Sequence, residues 1–142
     1  MRTQILLTVF TASIIAVPAQ AADINVAGLW LTTDGSAQVD IADCGDGTPC
    51  GTVVWVDPAQ PGPGTDDNNP DPELNGQSIV GSKMLWGFKA KNEKWGSGKI
   101  YDARDGKTYK SKLKLTEDGR LEVKGCVGPL CKTLEWSRVA AE

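Results

Sequence analysis

The chain has no histidine among its 142 residues. That absence removes the Ser-His-Asp and Cys-His nucleophile systems, histidine metal sites and histidine pH switches together. After Asp23 there is no apolar run of the roughly 20 residues that a membrane-spanning helix takes. Helix signals are scarce, while turn signals recur at short intervals, which points to a β-sandwich or a β-barrel. Basic residues are missing from a whole region: Asp23 to Ser82 holds ten acids and no lysine or arginine. The remainder, Lys83 to Glu142, holds fourteen bases and eight acids. In an up-and-down barrel consecutive strands are neighbours, so this distribution predicts one acidic flank and one basic flank.

The N-terminus reads as a secretory signal. Arg2 is followed by the apolar run Ile5–Val17 and by Ala19-Gln20-Ala21, a small-x-small cleavage site. Residues 1–21 are therefore expected to be removed, leaving a single domain over residues 22–142 in the periplasm or outside the cell. Losing Arg2 takes the net charge from −3 to −4, and an acidic exported chain is not expected to bind nucleic acid. Export also bears on the four cysteines. Cys44 and Cys50 bracket one turn, and Cys126 and Cys131 bracket another. Cysteines facing each other at a hairpin neck lie within bridging reach, so the local disulfides Cys44–Cys50 and Cys126–Cys131 are expected. A zinc site is the rival, but neither spacing is C-x-x-C and no imidazole is available. No metal and no cofactor are expected.

The clearest strand is Tyr109–Leu115, where Tyr109, Ser111, Leu113 and Leu115 alternate with Lys110, Lys112 and Lys114. Successive strand side chains face opposite ways, so one face is buried and the other is covered by lysine. It forms a hairpin with the Trp95–Asp102 stretch through Ala103-Arg104-Asp105-Gly106. Similar reasoning gives strands at Gly28–Thr33, with Trp30 inward, and at Ser36–Asp43. Gly51–Val56 is apolar throughout and predicts a strand covered on both sides. Lys83–Lys91 alternates with Met84, Trp86, Phe88 and Ala90 inward. Arg120–Gly128 places Leu121, Val123, Gly125 and Val127 inward, and Lys132–Val139 groups Leu134, Trp136 and Arg138. The result is all-β: about eight strands, the number at which an up-and-down antiparallel barrel can close.

Asp57–Gly76 breaks the pattern with five prolines and Asp66-Asp67-Asn68-Asn69. It predicts one long proline-rich loop at a barrel mouth, followed by a helical turn in Leu74–Gly81 with Ile79 and Val80 plugging the core. Asp67, Asn69, Asp71 and Glu73 alternate like calcium ligands, but Pro72 stands where the turn glycine is needed and Ser78 where the bidentate glutamate is needed. Asp57, Asp67, Asp71 and Asp102 were they gathered at one mouth would offer a two-carboxylate hydrolase, yet nothing in their spacing requires it.

Gly28-Leu29-Trp30 on the first strand, with Arg138 on the last, resembles the lipocalin and wider calycin signature. That resemblance implies that Arg138 packs across Trp30 and closes one barrel end, where a buried guanidinium needs stacking or hydrogen-bond partners. A broader match takes in Cys50-Gly51-Thr52-Val53-Val54-Trp55, Asp67-Asn68-Asn69-Pro70-Asp71-Pro72, Trp95–Asp102, Gly106-Lys107-Thr108-Tyr109 and Trp136-Ser137-Arg138. With it, the chain resembles the bacterial exported family catalogued as domain of unknown function 2147. The resemblance implies a lipocalin-like barrel of the cell envelope and lends no catalytic residues.

The expected activity is non-catalytic binding. The first reading places a small apolar or amphipathic ligand inside the barrel, lined by Trp30, Trp55, Trp86, Phe88, Tyr101, Tyr109 and Leu113. The alternative is a filled barrel that serves as an interaction module for an envelope protein partner.

Overall fold

The computed structural model describes residues 24–62 and 64–140. The expected signal peptide at 1–21 lies outside the described residues. Nine strands follow in order: β1 (Gly28–Leu31), β2 (Ala37–Asp43), β3 (Pro49–Val56), β4 (Lys83–Trp86), β5 (Lys89–Lys91), β6 (Lys94–Asp102), β7 (Lys107–Leu115), β8 (Leu121–Val127) and β9 (Leu130–Arg138). Their pairing is antiparallel, and the sheet closes where β1 meets β9 and β4 meets β6. Eight strands form the ring, and β5 continues the line of β4 along β6 in the same register. The architecture is the expected lipocalin-like up-and-down barrel, and closure removes most of the sheet edges that would otherwise invite aggregation. Among the described residues no helix is long and apolar enough to cross a membrane.

Alternation builds the interior. Trp30, Val39, Ile41, Leu85, Leu113, Leu121, Val123 and Trp136 are all buried to within 1% exposure and belong to one cluster. On β7 the lysines face out as expected. Both turn disulfides are the local ones, with Cα–Cα distances of 5.1 Å for Cys44–Cys50 and 4.0 Å for Cys126–Cys131.

Five residues expected inward face outward or are exposed, and for Trp55, Trp86 and Tyr101 the reason is a local change in the strand. In β3 an extra residue, Val54, bulges between the pairs Val39–Val53 and Gln38–Trp55. A bulge reverses the side-chain alternation beyond it. Val53 therefore stays inside, while Val54 and Trp55 emerge at 42% and 38% exposure. The continuous apolar run thus reflects a bulge and not burial on both faces. In β4 the inward position opposite Ile100 belongs to Leu85, which leaves Trp86 opposite Lys99 on the outer face. Gly87 then adopts a positive φ of 74°, a conformation costly for other residues, and the alternation resets so that Phe88 turns inward. Ala90 is exposed. In β6 a register shift between Trp95 and Gly98 sets Trp95, Gly98 and Ile100 inward, and Tyr101 falls on the outer face opposite Thr108. Val127, expected inside, is 65% exposed at the β8–β9 tip.

Candidate functional site

One end of the barrel is closed by residues 24–27, a strap that precedes β1. Its carbonyls accept three hydrogen bonds from side chains of the barrel. Trp95 Nε1 donates to Ile24 O at 2.7 Å, Trp30 Nε1 to Val26 O at 2.9 Å, and an Arg138 Nη1 to Ala27 O at 3.0 Å. Val26 is 3% exposed and packs with the core. Arg138 lies 4.3 Å over the Trp30 ring, the stacking that the sequence signature implies. Gly28 makes room for it, since a Cβ there would fall 2.3 Å from the guanidinium. Arg138 itself is exposed, contrary to the expectation of a buried guanidinium: it covers the tryptophan from the solvent side. Beside the strap is a recess of about 120 Å³ bordered by Val26, Ile41, Pro49 and Trp95.

The opposite end holds the long loop, which runs from residue 57 to 82. It is ordered by its own polar atoms. Asp66, 4% exposed, accepts from Tyr101 Oη at 2.8 Å and from Asn69 Nδ2 at 2.7 Å. Asn68 Nδ2 donates to Arg104 O at 3.1 Å on the β6–β7 turn. Arg104 in turn pairs with Asp102 at 2.8 Å and reaches Asp34 of the β1–β2 turn at 3.8 Å. Burial, the Asp66 hydrogen bond and the Asp66 charge all push the Tyr101 hydroxyl above its ordinary range. The Arg104 hydrogen bond holds the Asp102 carboxyl below its own. A single helical turn forms, but at Asp71–Asn75, and the plug does not: Val80 is 46% exposed and Ile79 half-buried. The oxygens that resembled calcium ligands cap turns: Asn69 Oδ1 accepts from Asp71 N and Asp71 Oδ1 from Glu73 N, both at 2.9 Å.

Of the seven residues expected to line an interior site, Trp30, Phe88 and Leu113 lie in the core, and Tyr109 packs against it at the loop end. Its hydroxyl donates to Asp105. Trp55, Trp86 and Tyr101 are on the outside and do not converge with them. Two interior polar atoms, Ser111 Oγ and Trp136 Nε1, are buried without a hydrogen-bond partner among the described residues. Sequence reading missed the strap, which acts through backbone carbonyls, and Asp66, which sits among four adjacent polar residues. Trp95 was legible as apolar strand sequence but not as the strap's anchor.

The ring of eight strands, the Trp30–Arg138 closure and the strap define a lipocalin-like β-barrel. A solved structure with this architecture is protein HP1028 of the human pathogen Helicobacter pylori, described as belonging to the lipocalin family. The two share 23% identity over 83% of this chain and 85% of that one, with a TM-score of 0.71. The chain itself belongs to the family of uncharacterized proteins conserved in bacteria designated DUF2147, whose pattern matches residues 28–138. No curated protein matches its sequence.

Proposed function

We propose that the chain is an exported, non-catalytic binding protein that meets its partner on the outer surface of a filled barrel. The observation that carries this reading is the interior. Trp30, Leu85, Leu113, Leu121 and Val123 occupy it at 0% exposure, with Trp136 at 1%. The recess at the strap, about 120 Å³, is smaller than the ~300–1,000 Å³ typical of small-molecule sites. Disulfides at two hairpin necks fit an oxidising compartment and support export. Of the four carboxylates weighed for hydrolysis, Asp102 pairs with Arg104, and Asp57 and Asp71 cap turns.

A second reading, a small ligand held inside, draws on Ser111 Oγ and Trp136 Nε1, because buried polar atoms left unpaired are unusual in native interiors. An eight-stranded barrel is also wide enough for one small ligand. Titration with a fluorescent fatty acid separates the two. A filled barrel gives no saturable binding and no quenching of tryptophan emission. Stoichiometric binding that quenches tryptophan, and that Ser111→Ala weakens, would establish the interior site and overturn the first reading.

A further inference from the structure

The last strand is covered along only part of one side. β9 pairs with β8 from Leu130 to Trp136, but with β1 only at Ser137 and Arg138. Just outside that short contact Val139 N donates to Leu29 O at 2.9 Å, and Glu135 O accepts from the Thr33 hydroxyl at 2.8 Å. Backbone groups alternate sides along an antiparallel strand. The odd-numbered residues of β9 therefore aim their N–H and C=O at the β1 side, and the even-numbered ones at β8. Val139, Ser137 and Glu135 meet β1 or its following turn. Cys131 and Thr133 aim at the same side, where no strand lies beside them among the described residues. Residues 130–133 are all exposed, so this stretch is an open sheet edge in an otherwise closed barrel.

The side chains along the edge add to it. Leu130 stands opposite Val127, Lys132 opposite Gly125 and Leu134 opposite Val123. Val123 is buried in the core, so alternation puts Leu130, Lys132 and Leu134 on the core-facing side of the sheet. There the β8–β9 hairpin runs on past the β1 contact, and Val127 and Leu130 stand 65% and 77% exposed. A strand laid beside β9 would cover apolar surface on both flanks of Lys132. The Cys126–Cys131 bridge joins the two strands just before the tip. It holds the projecting hairpin in strand geometry before any partner arrives, which lowers the ordering cost of binding.

Resting on the reading that the chain works from outside its filled barrel, we propose that the free edge of β9 docks one extended segment of a partner protein, which joins the sheet as a further strand. A row of N–H and C=O groups at strand spacing is matched by another extended backbone. Lipids and soluble polyanions offer no such alternation of donors and acceptors. The side chains specify the segment: an acidic residue beside Lys132, flanked at alternate positions by apolar residues beside Leu130 and Leu134. A second copy of this chain matches the edge poorly. Antiparallel self-pairing that joins Cys131 to the second copy's Thr133 sets Lys132 against its own equivalent, and like charges directly opposite oppose pairing. The Thr33 bond to Glu135 O ends the edge, so the added strand is short.

The test runs in two steps on the disulfide-bonded mature chain. In native-state amide exchange, Cys131 and Thr133 should exchange at least about tenfold faster than Lys132 and Leu134, whose amides bond to β8. Equal protection of all four would overturn the free edge. A displayed library of short random peptides is then selected against the chain. Enriched sequences should alternate, with an acid between two apolar residues, and a synthetic peptide of that pattern should slow exchange at Cys131 and Thr133. Thr133→Pro removes a donor that faces away from β8, so it should keep the melting midpoint and weaken the peptide by about tenfold. Lys132→Glu removes no backbone bond and keeps the test independent of folding. It should weaken the peptide by about threefold, and a lysine in place of the peptide's acid should restore binding. Selection that enriches nothing, or peptides that bind Thr133→Pro as tightly as the wild type, would overturn the proposal. Protection of the same amides that grows with protein concentration alone would also overturn it, assigning the edge to a second copy. Each of these leaves the filled interior standing, whereas saturable fatty-acid binding inside the barrel removes that reading and leaves exchange at the edge unchanged.

Discussion

The two ends of the barrel are closed by different chemistry. At the strap end, Val26, Trp30 and Trp95 close the core by burial, and three side-chain donors fix the strap's carbonyls. At the loop end, closure runs through Asp66, Tyr101, Asn68 and Arg104, a network of carboxylates, amides and one guanidinium with little apolar packing. Burial of a large aromatic contributes several kcal/mol, whereas one hydrogen bond contributes about 1 kcal/mol net. The strap end should therefore carry global stability, and the loop end should open locally without unfolding the barrel.

The sharpest break of this comparison is Trp30→Ala. It leaves a large void in the core and removes both the strap's donor and the surface under Arg138. The expected loss is about 3–5 kcal/mol, read from the denaturant midpoint. A midpoint like that of the wild type would mean that the strap end does not hold the barrel.

At the loop end, Asp66→Ala removes the acceptor for Tyr101 and Asn69. The expected loss is about 1–3 kcal/mol. Proteolysis within residues 57–82 should rise more than the global midpoint falls. Tyr101 also reports on the site directly. Absorbance titration of the two tyrosines should show tyrosinate forming above its ordinary range in the wild type, and Asp66→Asn should bring the Tyr101 step down. An unchanged titration would detach Tyr101 from the loop.

Arg138→Ala tests how the strap end is finished. The guanidinium is exposed, stacks on Trp30 and donates one hydrogen bond. Those two contributions together amount to about 1–2 kcal/mol. Urea unfolding checks the value, and a loss as large as that of Trp30→Ala would mean that Arg138 organises the end instead of covering it.

The smallest effect is a pH dependence at the loop end. Asp102 has its carboxyl lowered below the ordinary 3.8, chiefly by the Arg104 hydrogen bond. Its ionised form favours the fold, so its contribution is fully present above the ordinary carboxyl range. It is lost as pH falls from about 4 through the lowered value. Arg104 is largely exposed, which limits the contribution to less than about 1 kcal/mol. Asp102→Asn should flatten that part of the stability profile in acid denaturation, and an identical slope in the variant would remove the pair from the account.

The same contrast explains what the sequence made legible. Trp30 could be placed because strict alternation assigns it a face, and so could Leu113 and Leu121, whereas Arg138 was matched to Trp30 through the resemblance and covers the ring from the solvent side. Trp55 and Trp86 could not, since one extra residue reverses the face of everything after it. The bulging residue, Val54, is as apolar as its neighbours and leaves no mark in the pattern. The strap works through the carbonyls of Ile24, Val26 and Ala27, and a carbonyl is the same whatever the side chain. Asp66 differs from Asp67 only in where the loop folds. The turn disulfides were legible because both partners bracket short turns that fix their separation.

The central claim is that the barrel is filled and acts from its outside. Methyl resonances of the mature chain test it most directly, followed as a fatty acid is added. The account predicts that those of the interior residues Leu113, Leu121 and Val123 stay in place. Interior methyls that move and saturate at one bound fatty acid per chain would contradict it.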